Sequence, residues 1–188
     1  MKRKLFILSI LVICVATLAA GSLAYFTYVD TATNVITAGN IKISLREWAV
    51  TEEGGETVPF EDALHAMPGG DVSKIVQVEN VGGEAAWVRL EVEKVIALAI
   101  EEGEADTSLI SCDIDTENWT EKDGYYYYLH ILAPGEMTTP LFTQVHFSKE
   151  MGNLYQNSRV NIQISAQATQ VANNGETVWE AAGWPQKN

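Results

Sequence analysis

Apolar residues alternate with polar ones over several short stretches of this chain, whereas helical spacing is scarce. Ile41, Ile43 and Leu45 interleave with Lys42, Ser44 and Arg46, which predicts a half-buried strand. Residues 72–79 predict a second, with Val76 and Val78 on one face. After Asn80-Val81-Gly82-Gly83-Glu84, the positions Ala86, Val88, Leu90 and Val92 build a third, and the Gly-containing link predicts that these two runs pair as a hairpin. Residues 109–114 predict a short strand, and Trp119 falls in a polar link before Asp123-Gly124. The run Tyr125-Tyr126-Tyr127-Tyr128-Leu129-His130-Ile131-Leu132 is the firmest strand, because aromatic side chains suit a pleated, half-buried surface. Leu141, Thr143, Val145 and Phe147 continue the pattern, and Val160, Ile162, Ile164 and Ala166 end it, with Asn161, Gln163, Ser165 and Gln167 on an amide-rich face.

Between the strands, residues 50–62 read as an acidic, Gly-containing loop, 62–67 as one helical turn, 96–104 as irregular and 149–155 as a short helix. Pro68-Gly69 and Pro134-Gly135 are turn signals with a mechanism, since Pro fixes one backbone angle and Gly accepts positive ones. Each leads into a strand at the same offset, a weak internal echo of the kind two facing sheets would use. The predicted fold is all-β: a jelly-roll-like β-sandwich of mainly antiparallel strands with short helical turns, preceded by a signal peptide. The sandwich domain spans 40–172, and a tail over 173–188, with Trp179 and Trp184, either docks or frays.

The start of the chain is an address. Lys2, Arg3 and Lys4 precede an apolar run over 5–20, and Gly21-Ser22-Leu23-Ala24 places Ser22 and Ala24 at the small-residue subsites of a signal peptidase. The alternative is a retained membrane anchor, but the small-residue exit and the lack of a stop-transfer charge cluster argue for cleavage before Tyr25. A lipoprotein site at Cys14 is rejected because Ile13 is too bulky and Cys14 lies mid-run. The predicted segments are a signal peptide over 1–24 and a β-prone segment over 25–39, with Tyr25, Phe26, Tyr28, Val29, Val35 and Ile36 as self-assembly residues. Such a freed strand can pair with an open sheet edge on a neighbour; the alternatives are pairing within its own domain, or disorder. The expected location is extracellular or at the cell surface, with membrane contact only before cleavage.

Charge narrows the partners. Removing residues 1–24 leaves 164 residues, in which nine Lys and Arg stand against 25 Asp and Glu, a net charge of −16. That repels phosphate backbones and anionic membranes, so nucleic acid is excluded as a partner. Processing also leaves Cys112 as the only thiol, so no internal disulfide forms; its apolar surroundings read as structural.

Catalytic constellations are missing. His65, His130 and His146 stand in three separate contexts without a His-Glu-x-x-His spacing, although His130 and His146 lie on neighbouring predicted strands. No Gly-x-Ser-x-Gly elbow or phosphate-cradling glycine motif occurs. Glu52-Glu53 and Glu101-Glu102 offer at most weak calcium binding. No cofactor is expected; zinc and calcium stay open as alternatives. Half of the tyrosine run should point inward, which favours packing over a carbohydrate platform.

Several segments resemble the TasA/camelysin family of secreted bacterial proteins. They are Ala24-Tyr25-Phe26-Thr27, Asp30-Thr31-Ala32-Thr33-Asn34, Ala38-Gly39-Asn40-Ile41-Lys42-Ile43, the Pro68-Gly69 turn before Val76-Gln77-Val78-Glu79-Asn80, and Gly83 leading into Trp87-Val88-Arg89-Leu90. Gly124 with the tyrosine run, then Leu132-Ala133-Pro134-Gly135-Glu136, and residues 162–169 extend the likeness over most of the processed chain. Tyr28-Val29 departs from it where relatives often carry an acidic residue. The resemblance implies a jelly-roll protein of the extracellular or biofilm matrix, processed by a dedicated signal peptidase. Its partners would be further copies or other matrix subunits, with fibres formed by strand donation. The camelysin branch implies a secreted metalloendopeptidase as the alternative, and a cell-surface adhesin fits the same fold.

Overall fold

The computed structural model describes residues 34–37, 41–51, 55–60, 64–65, 67–99 and 103–185. Within them the alternating pattern resolves into strands β1 (Asn34–Thr37), β2 (Ile43–Val50), β3 (Thr57–Pro59), β4 (Leu64–His65), β5 (Asp71–Ser73) and β6 (Ile75–Asn80). The series continues with β7 (Ala86–Ala97), β8 (Ile110–Cys112), β9 (Trp119–Lys122), β10 (Tyr125–Tyr128), β11 (Gln144–Phe147) and β12 (Arg159–Gln170). The fold is all-β, and every strand pair except β1 with β12 is antiparallel.

One sheet runs β1-β12-β7-β10-β9, with β4 also on β12. Its spine is the β7–β12 pair, in register from Ala86 opposite Gln170 to Ala97 opposite Arg159. Two three-stranded sheets, β5-β11-β8 and β3-β2-β6, make up the rest. Backbone hydrogen bonds join these two: Lys74 N–H donates to Thr143 O at 3.0 Å, Leu141 N–H to Val76 O at 2.8 Å and Asn80 N–H to Glu136 O at 2.9 Å. Residues 69–80 and 135–147 therefore run side by side past the strand break at Lys74.

The two Pro-Gly turns close opposite ends of that pair. Gly69 N–H donates to Phe147 O, and Gly135 N–H to Asn80 O, both at 2.9 Å. Both glycines sit at positive φ, +73° and +78°, where a Cβ would cost roughly 1–2 kcal/mol. The echoed segments are thus neighbours in one layer rather than counterparts in two facing sheets.

The inward rows of the sheets share one core. Ile43 and Leu45 of β2, Val76 and Val78 of β6 and Phe147 of β11 pack with Val88 and Leu90 of β7 and Ile162 and Ile164 of β12. Each such aliphatic side chain contributes about 1.5–3 kcal/mol when fully buried. The arrangement is sandwich-like: apolar faces meet, and polar alternates such as Asn161 and Gln163 stay in solvent.

Several segments depart from what their local sequence pattern predicts. The runs around the Gly82-Gly83 link do not form a hairpin, because β6 pairs with β2 while β7 pairs with β12 and β10. The link crosses between sheets, and buried Asn80 fixes it by donating its side-chain amide to Glu84 O and Leu132 O while accepting from Gly82 N–H. Leu64 and His65, expected in a helical turn, form β4 because Val160 and Arg159 offer an edge. Part of the loop over 50–62 forms β3 on the edge of β2. β7 continues to Ala97, beyond the expected end, because β12 templates its whole length. Trp119 opens β9 rather than a link, buried against Tyr128 with ring centres 4.9 Å apart. The tyrosine strand ends at Tyr128, and the helix expected over 149–155 is a single 3-10 turn, Asn153–Tyr155.

Candidate functional site

The outer edge of β12 is occupied in two pieces. β1 lies parallel along Ser165–Ala168, with Asn34 opposite Ser165 and Thr37 opposite Ala168, and half-buried Val35 packs against the core. β4 lies antiparallel against Arg159 and Val160. Among the described residues no strand pairs with this edge over 161–164. Unpaired edge groups of this kind are a template for another strand. Val35 and Ile36 therefore pair within their own chain. Ser22, Ala24, Tyr25, Phe26, Tyr28 and Val29, and the leader itself, lie outside the described residues.

The opposite face of the same sheet carries a second, smaller core. Trp87 and Tyr127 are buried beneath Val178, with Tyr125, Leu129 and Trp184 around them. The tail docks. Asn174 holds it, donating its side-chain amide to Gln170 O at 2.8 Å and Ala182 O at 2.9 Å while accepting from Ala182 N–H. Arg89 is the hub of this face. Its guanidinium stacks on Tyr125 (3.9 Å to the ring centre) and Trp184 (4.7 Å). It also donates to Gln167 Oε1 at 2.8 Å and to the Tyr127 hydroxyl at 2.9 Å. Tyr126 and Tyr128 meanwhile pack in the main core, so the tyrosine run serves two cores by alternation. Arg89 escaped the sequence reading, since a lone cation among aliphatic residues gives no hint of rings 36 and 95 positions away.

The histidines stay apart. His146 on β11 bonds Asp71 of β5 at 2.6 Å, while His130, just past β10, bonds Asn118 Oδ1 at 2.9 Å. His146 lies in the β5-β11-β8 sheet and His130 beyond the end of β10, each with its own partner, and His65 sits on β4. Among the described residues no group of three His, Cys, Asp or Glu could hold a metal ion, and no helix is long and apolar enough to cross a membrane. Glu52-Glu53 and Glu101-Glu102 fall outside the described residues. Burial pushes the half-buried Cys112 thiol up to about 11, against the pull of Lys94. Asp115 is held below the usual carboxylate range by the Asn118 side-chain amide, with the Thr139 hydroxyl and two backbone N–H groups adding to it. Burial works the other way at Asp113, but donation from the Thr143 hydroxyl and from the N–H groups of Gln144 and Thr143 outweighs it.

A charged pair interrupts the inward rows at the end of the β2–β6 ladder. Glu47 follows Ile43 and Leu45 on the core-facing row of β2, and Lys74 falls between Val72 and Val76 on the neighbouring row. Lys74 is 2% exposed, its Nζ is 2.5 Å from Glu47 Oε1, and it lies 3.8 Å from the centre of the Phe60 ring. The oxygen is buried and its contact with Nζ lacks hydrogen-bond geometry. Beside this pair opens a groove of about 830 Å³ lined by Val50, Val58, Phe60, Met67 and Val72 together with Asp71 and Ser73.

No protein-family model matches the chain, and it matches neither a curated protein nor a solved structure.

Proposed function

We propose that this chain is an exported structural subunit of a bacterial extracellular or biofilm matrix, with a jelly-roll domain that assembles by strand donation after its leader is removed. The observation that carries this reading is the divided outer edge of β12: a short parallel strand from the N-terminal side on Ser165–Ala168, β4 on Arg159 and Val160, and no described partner between them. A segment that adds to an edge in parallel needs only main-chain hydrogen bonds and side-chain pockets at alternate positions, so the equivalent segment of a second copy fits the same slot. Val35, half-buried against the core, is the kind of anchor such a slot selects. The resemblance to the TasA/camelysin family supports the same reading, as does the composition of the leader. The histidine environments lend nothing to the peptidase alternative, since His130 and His146 each serve a separate neighbour.

The test compares the processed chain, beginning at Tyr25, with a variant lacking residues 25–36, by electron microscopy across pH and salt. Fibres are expected from the first and folded, non-polymerising protein from the second, with a synthetic 25–37 peptide blocking growth. Lower pH and added salt should both speed assembly, because they remove or screen the repulsion of a −16 chain. Equal polymerisation by both chains, or chelator-sensitive proteolysis by the purified protein without fibres, overturns the proposal.

A further inference from the structure

We propose that Lys74 and Glu47 are the two halves of an intramolecular isopeptide cross-link, a modification site independent of the assembly reading above. Three observations converge. The side chains project from core-facing rows of adjacent elements, where apolar residues are the rule: Ile43 and Leu45 precede Glu47, and Val72 and Val76 flank Lys74. The ammonium is withdrawn from water, 2% exposed and covered by the Phe60 ring. Its nitrogen stands 2.5 Å from Glu47 Oε1, and among the described residues that buried oxygen accepts no hydrogen bond. A buried ion pair carries a desolvation penalty that its mutual attraction offsets only with good geometry and further hydrogen bonds. Among the described residues Glu47 Oε1 has neither, which weighs against the charged pair and in favour of the neutral product.

The chemistry needs no oxidant and no cofactor. In the first step one proton moves from the Lys74 ammonium to the Glu47 carboxylate it touches, leaving a neutral amine against a protonated carboxyl group. The Nζ lone pair attacks Cδ and a C–N bond forms. The tetrahedral centre then collapses: the C–O bond to the protonated oxygen breaks, a second Nζ proton leaves with it, and one water departs. Ammonium and carboxylate become a secondary amide and water, so atoms and charge balance. Fixed proximity supplies the drive, since held partners reach effective molarities on the order of 10⁵ M or more.

The cross-link would tie β2 to the β5–β6 junction and close a loop that contains β3, β4 and β5. Closing a loop of this size restricts the unfolded chain as a disulfide does. A processed chain whose sole thiol is Cys112 has no disulfide available for that task.

The experiment is peptide mapping of the purified wild-type chain by mass spectrometry. Neither Lys nor Arg lies between Glu47 and Lys74, and trypsin does not cut after an acylated lysine. Trypsin should therefore leave residues 47–89 as one peptide, lighter by one water. A second digestion, cutting after the intervening glutamates, should convert it into a branched pair joined at Glu47 and Lys74. The linked species should outweigh the linear ones, and Lys74→Met and Glu47→Ala chains should show none of it. Linear tryptic peptides ending at Lys74 with the full sequence mass, as the main products from folded wild-type protein, overturn the proposal without recourse to any variant.

Discussion

Replacing Arg89 with alanine tests whether the outer face of the large sheet is a true second core. The guanidinium lies between Tyr125 and Trp184 and is the donor to Gln167 Oε1, on a side chain only 2% exposed. Leaving that buried acceptor without a donor costs about 1–3 kcal/mol. Each partly desolvated cation–ring contact contributes about 0.5–2 kcal/mol, and the two share one cation, so they do not add in full. Losses of about 3 kcal/mol in total correspond, at about 2–4 °C per kcal/mol for a domain of this size, to a fall in Tm of about 6–12 °C. Scanning calorimetry at neutral pH reads this directly. Arg89→Lys should fall between the two, since an ammonium keeps the charge but loses the planar fork. Combining Arg89→Ala with Trp184→Ala should reveal a coupling of about 1 kcal/mol, as expected for groups in contact. A Tm within about 2 °C of the parent, or strictly additive losses, refutes the argument.

Three further outcomes follow from local geometry. Cys112, with its thiol at about 11 rather than 9.0, should react with iodoacetamide at pH 8 about a hundredfold more slowly in the folded than in the unfolded chain. Asp115 is a stronger acid folded than unfolded, so the unfolded chain takes up its proton first as pH falls. Its stabilisation is complete above the ordinary carboxylate range and lost as pH drops through its lowered folded value, so Tm should fall below about pH 4 and fall less steeply in Asp115→Asn. A Cβ at Gly82 would meet the Lys42 backbone nitrogen at 2.9 Å, whereas one at Gly83 meets nothing within 4 Å. By urea denaturation Gly82→Ala should therefore cost about 1–3 kcal/mol and Gly83→Ala under about 0.5 kcal/mol.

Strand identity was legible in the sequence wherever one face is apolar and the other wet, as in β2, β6, β7 and β12. Partner choice was not. Asn80-Val81-Gly82-Gly83 signals a change of direction in either a hairpin or a crossover, and only the contacts of Asn80 with Glu84 and Leu132 decide between them. Alternation also fails where a second layer covers the outer face: Gln167 reads as a solvent position, yet it is buried and bonded to Arg89. Trp119 stands alone among polar neighbours and shows no periodicity, so its place in the core depends on Tyr128 across the ladder. The candidate edge was half legible: the β-prone segment could be read, but the parallel register of Val35 and Ile36 on β12 could not. Lys74 and Glu47 were invisible as a pair, because inward charges break the very pattern by which rows are recognised.

The place of β12 in chain order sets when folding can begin. Every residue of β7 pairs with one in β12, at separations running from 62 positions (Ala97 to Arg159) to 84 (Ala86 to Gln170). Loop-closure entropy on this scale must be overcome before the pairing returns any stability, which makes such topologies slow to form. The strand between β1 and β7 is also the last strand described, so the spine of the large sheet is missing while the preceding 150 or so residues emerge. Under the export proposed above, a chain delivered from its N-terminus would arrive with its largest sheet unformed, and that sheet would close only after β12 had followed.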